Sequence, residues 1–171
     1  METLMPTPSS WIRWQVVAPL VMTLALLLYL VVTRAEKLEM PHSIAGIDLT
    51  RIVAGKDAAE VINHLHGKGV SPSHNSIAIY AGEKGSAILY LSVYAEEKEA
   101  EESLDRMRSA ISQGNPVFAH YTEVEVSGRI VYFCVGQGQS HYFFRHQDKL
   151  YWLAADRGIA RVGLEELLTG L

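Results

Sequence analysis

The chain has 171 residues, with 15 lysines and arginines against 19 aspartates and glutamates, a formal net charge of −4 and one cysteine. The lone Cys134 allows no internal disulfide, the missing CxxCH excludes the common attachment of c-type haem, and no cofactor is expected. Setting aside Glu2, Arg13 and Arg34 leaves 13 basic and 18 acidic residues in positions 35–171, a net −5 without a Lys/Arg run, so nucleic acid is excluded as a partner.

The first element in the chain is an uncharged stretch, Val16 to Val32, which reads VVAPLVMTLALLLYLVV. At about 1.5 Å per residue it covers most of an approximately 30 Å hydrocarbon core, and residues 16–33 are predicted to be a transmembrane helix in contact with the lipid bilayer. Trp11, Trp14 and Tyr29 suit headgroup level, and Arg13, Arg34 and Lys37 mark the aqueous boundaries. Pro19 falls in the first turn, where a missing N–H matters least. Thr33-Arg34-Ala35 matches a cleavage site poorly, which favours a retained signal anchor over a cleaved signal peptide. Flanking charge is nearly balanced between the two orientations. The order of short leader (1–15), apolar helix, connector (34–43) and domain (44–171) is that of an exported domain, so the expected placement is single-pass, with the C-terminal domain outside the cytoplasm.

In the domain, Asp57-Ala-Ala-Glu60 resembles a capping box, and Ala58, Val61, Ile62 and Leu65 form the stripe of a first helix ending at Gly67 and Gly69. Strands follow at Ile77–Tyr80 and Ala87–Ala95 around a Gly82–Gly85 turn, the second placing Ala87, Leu89, Leu91, Val93 and Ala95 on one face. Glu96–Gln113 reads as a helix with acidic residues toward its start, a buried stripe of Ala100, Leu104, Met107 and Ile111, and Gly114 as its stop. Its glutamates read as a solvated face rather than a cation site.

Ser127-Gly128 is predicted to close a two-residue hairpin, with Val124 opposite Val131, Thr122 opposite Phe133 and His120 opposite Val135, because a slip of one residue would carry Glu123 and Glu125 to the apolar side. Cys134, mid-strand, reads as a packed thiol. Gly136-Gln-Gly-Gln-Ser140 lacks the following helix of a phosphate cradle and the GxSxG of a nucleophile elbow, and reads as a turn between strands. The last hairpin, about His141–His146 and Leu150–Ala155, carries aromatics on both faces and so needs cover twice. Its own helices, including the C-terminal one with Leu164, Leu167, Leu168 and Leu171, are the simple cover; a partner is the other, which makes Tyr142, Phe144, Tyr151 and Trp152 the candidate interaction surface.

Seven histidines carry the remaining chemistry. His64 and His66 lie about 200° apart on a helix and cannot easily share a metal. His141 and His146 face opposite sides of one strand. His64, His74 and an inward His120 are the candidate metal ligands, assembled with a glutamate only if the fold gathers them.

The resulting expectation is an α+β fold: a single N-terminal transmembrane helix, then one two-layer domain with a mainly antiparallel sheet and helices packed mainly on one face, in the order α β β α β β β β α. Two functions follow. One is a membrane-anchored extracytoplasmic interaction or accessory module without catalysis, working on a membrane or extracytoplasmic protein partner. The alternative is a small extracytoplasmic enzyme or metal-binding protein using histidines with a carboxylate.

Overall fold

Two antiparallel meanders joined along one ladder make the sheet. The computed structural model describes residues 40–66, 72, 74–114 and 116–171, with the backbone alone at 64–66. In chain order the elements are β1 (Ser43–Ile44), β2 (Ile47–Ala54), α1 (Gly55–His66), β3 (His74–Gly82), β4 (Gly85–Val93), α2 (Glu97–Ser112), β5 (Phe118–Val126), β6 (Arg129–Gly136), β7 (Gln139–His146), β8 (Lys149–Ala155) and α3 (Ala160–Thr169). The strands lie in the order β1-β2-β3-β4-β8-β7-β6-β5, antiparallel throughout, and the sheet curls into a half-barrel. The two meanders meet where β4 pairs β8, with Ala87 opposite Ala155, Leu89 opposite Leu153 and Leu91 opposite Tyr151.

Alternation along these strands defines two faces, and both are covered. One carries Leu89, Leu153 and Tyr142 side by side, with Phe144 and Tyr151 in the next row, and lies under α3. Contact is close there: a Cβ on Gly163 of α3 would come within 2.5 Å of Ile44 Cγ2, so only glycine lets this helix approach. Glu166 of α3 also accepts the Ala45 N–H at 2.7 Å, tying the helix to the β1–β2 turn. The other face is covered by α2 and α1. Ala100, Leu104, Met107 and Ile111 of α2 pack with Tyr132, Cys134, Phe143 and Leu150. Ala58 and Ile62 of α1 pack on Ile77, with Val53, Ile79, Ile88 and Tyr90 around them.

The expected fold class is therefore corrected in three respects. The domain is mostly antiparallel sheet, with β1 and β2 preceding the first helix. Its helices lie on both faces, not mainly on one, because β4, β7 and β8 are apolar on both sides and each side must leave water. Among the described residues no helix is long and apolar enough to cross a membrane, so the transmembrane helix and signal anchor of the expected architecture have no counterpart there; residues 16–33 themselves lie outside the described residues.

Local expectations fare unevenly. The stripe of α2 is buried at all four positions, and the turns at Ser127-Gly128 and Gln137-Gly138 have positive φ at both residues, the twist that two-residue hairpins favour. Val124–Val131 and Thr122–Phe133 pair as the register argument requires. Beyond Thr122 the register shifts and Ala119, not His120, faces Val135: His120 occupies a bulge at φ 57. Val61 of α1 is exposed, and the end of the predicted stripe at Leu65, Gly67 and Gly69 lies outside the described side chains. At the N-terminal side, residues assigned to the connector are held: Met40 is buried, Tyr80 Oη donates to Pro41 O at 2.9 Å, and Leu49 N–H donates to His42 O at 2.9 Å.

Two outcomes follow for stability. Leu89→Ala, at a fully buried position, should cost about 2 to 5 kcal/mol in denaturant melts, whereas Ile130→Ala, 63% exposed, should cost less than about 0.5 kcal/mol. A fragment of residues 40–171 should fold alone and exceed a 44–171 fragment by about 1 to 3 kcal/mol, since the shorter one loses two hydrogen-bond acceptors and buried Met40. Equal stability of the two fragments would show that Met40 to His42 contribute nothing.

Candidate functional site

The aromatic hairpin formed by β7 and β8 is the obvious place to begin, because cross-strand pairing stacks its rings on both faces. On the α3 face Phe144 stacks on Tyr151 at 5.1 Å between ring centres, and Phe133 tilts against Tyr142 at 5.1 Å. On the α2 face Phe143 stacks on Trp152 at 4.9 Å, with Tyr132 and Phe118 against them. Tyr142, Phe144 and Tyr151 are buried and Trp152 is half-buried. The expected interaction surface thus lies inside the domain, covered by its own helices.

His141 sits in this cluster with both ring nitrogens engaged. Trp152 Nε1–H donates to Nδ1 at 3.1 Å, so Nε2 carries the proton and donates to Gly136 O at 2.9 Å. Phe118 packs edge-on against the imidazole. Burial depresses the imidazole's proton affinity, and the Gly136 carbonyl opposes this only in part. A neutral ring of fixed tautomer, without a free lone pair, is a structural strut rather than a base or ligand.

Cys134 neighbours it across the β6–β7 pair. Burial pushes its thiol up to about 12, far from the thiolate that nucleophilic chemistry needs. Asp156, at the β8–α3 junction, accepts Ser86 N–H at 2.8 Å, Ser86 Oγ–H at 3.1 Å and Gln139 Nε2–H at 3.3 Å, which together hold its carboxyl below the usual range. It ties the last helix to β4. Arg108 of α2 donates to Tyr132 Oη at 3.0 Å, lies over that ring at 5.2 Å and pairs with Asp105 and Glu123.

The candidate metal ligands do not assemble. His74 is exposed at the start of β3, and His120 is exposed in the β5 bulge rather than inward. Four strands lie between β3 and β5, and the two histidines sit at opposite ends of the sheet. The side chain of His64, in the last turn of α1, lies outside the described residues. Among the described residues no group of three or more His, Cys, Asp or Glu could hold a metal ion. The acidic start of α2 is engaged locally: Glu97 pairs with Arg145, Lys98 with Glu102 at 3.9 Å, and Glu99 accepts Ala95 N–H at 3.3 Å.

One group of donors is hidden in the sequence, because Arg129 lies 17 residues before His146. Arg129, His146 and Lys149 share the α3 face at the end of the sheet where the β5–β6 and β7–β8 turns lie. Arg129 Nη1–H donates to His146 Nδ1 at 2.7 Å, and Lys149 stands directly opposite His146. The β6–β7 pairing brings Arg129 to the other two, which flank the Gln147-Asp148 turn. Comparison with protein-family models, curated proteins and solved structures finds no match.

The locked imidazole has a pH signature. The folded pKa of His141 lies below its unfolded value of about 6.5, so its stabilisation is complete above that pH and is lost as pH falls from there through the folded pKa. His146 shifts in the same direction, through burial first and then Arg129, Lys149 and Arg145. Denaturant melts from pH 7.5 down to 5 should show declining stability, with a shallower decline in His141→Gln. An unchanged slope in that variant would contradict the assignment of His141 as a buried neutral strut.

Proposed function

We propose that this domain is a non-catalytic interaction module that holds a protein partner on its outer surface. The observation that carries this reading is the use of its most reactive buried groups as framework: His141 has both nitrogens bound, and the Cys134 thiol is buried with its pKa raised. Buried polar groups engaged in this way stabilise a scaffold but leave no base or nucleophile facing a substrate. The aromatic hairpin that would otherwise be the adhesive surface is core, so the partner must be met by side chains at the rims and edges of the sheet. The expected setting outside the cytoplasm belongs to the same proposal and rests on the sequence before residue 40.

Cross-linking in the producing cells tests this. A permeant reagent should capture the same neighbouring protein with the wild type and with Cys134→Ala, His74→Ala and His120→Ala, and an impermeant reagent should reach it from outside intact cells. Stoichiometric zinc, copper or iron in protein purified without added metal, lost in a histidine variant, would overturn the non-catalytic reading. Capture by the permeant reagent alone would overturn only the setting.

A further inference from the structure

The rim formed by Arg129, His146 and Lys149 is built almost entirely of donors. His146 Nδ1 accepts from Arg129, which leaves its Nε2–H directed elsewhere; the remaining guanidinium N–H groups and the Lys149 ammonium can only donate. All three residues are half-buried. Among the described residues neither Arg129 nor Lys149 forms an ion pair, in contrast to Arg145, which projects from the other face and pairs with Glu97. Asp148, in the adjoining turn, is the acidic side chain nearest in sequence, and it too makes no ion pair with them. These cations gather on a chain with a net charge of −4, so the rim stands out against its surroundings.

We propose that this rim binds the carboxylates of an acidic polypeptide segment, as the contact surface of the interaction module. The proposal rests on the interaction reading and names the chemistry of its partner. A ligand here must supply acceptors only, and carboxylate oxygens do so with geometry that a guanidinium matches in pairs. Neighbouring strands are about 4.8 Å apart, so the three residues span about 10 Å, a length that fits two or three carboxylates on an extended segment. That span is too short to track a nucleic-acid backbone, and the acidic remainder of the domain would repel one. A short acidic segment need reach only the rim, two or three carboxylates long, and so meets this repulsion over a far smaller area.

The test uses the full chain in neutral detergent and a fluorescein-labelled peptide of alternating glutamate and serine, followed by anisotropy at low salt. Binding should saturate and weaken steeply with added salt. Lys149→Gln and Arg129→Gln should each weaken it by at least about tenfold, the scale of one charge-assisted hydrogen bond, whereas Arg145→Gln should leave it within about twofold. The test does not depend on the folding of Arg129→Gln: Lys149→Glu should lose the glutamate peptide and gain one of alternating lysine and serine, with an unchanged thermal midpoint. Equal binding by wild type and Lys149→Glu would overturn the proposal. Retention of inorganic phosphate or of phosphatidylglycerol vesicles with no binding of the glutamate peptide would likewise overturn it, in favour of a phosphate ligand. Loss of peptide binding alongside continued capture of a partner in cells would sink the rim and spare the interaction reading.

Discussion

The ladder between β4 and β8 is the constraint on which the rest depends. Residues 56 or more positions apart in the chain come together there, Leu89 against Leu153 at the centre of one face and Tyr90 against Trp152 on the other. Until this ladder closes, each meander has an open edge and half a core. Once closed, it places β7 and β8 in the middle of the sheet, where stacked aromatics on both faces are sheltered by α2 on one side and α3 on the other. Closing so large a loop is entropically costly, and burial of apolar area on both sides of the ladder offsets that cost.

The same arrangement leaves polar and charged side chains to the ends of the strands. The central strands are covered on both faces, and His141 and Cys134 are immobilised in the α2-side core. At the rim, strands end and turns begin. There, alternation that sends Arg145 to one face sends His146 to the other: the Arg145 guanidinium pairs with Glu97, while the His146 imidazole accepts from Arg129 and stands beside Lys149.

Legibility in the sequence followed the source of the signal. The α2 stripe and the Ser127-Gly128 hairpin were readable because period and turn chemistry act within a few residues. β2 was not: Ile47–Ala54 reads IDLTRIVA, mostly exposed, with a register shift between Leu49 and Arg51 that breaks the alternation. The His120 bulge was equally hidden, since no glycine marks that positive φ. Aromatics on both sides of the last hairpin correctly required double cover, but whether helix or partner supplied it depended on where α3 packs, which is tertiary. The rim was hidden for the same reason, since Arg129 joins His146 and Lys149 only through the pairing of β6 with β7.

Hydrogen exchange of the full chain, followed by mass spectrometry, tests the central ladder most directly. The account predicts that amides of 87–92 and 150–155 exchange last and open together, because each protects the other, while those of edge strands β1 and β5 exchange first. Early exchange at β4 and β8, with the two meanders protected independently of each other, would contradict the single joined sheet from which the covered core and the outward rim both follow.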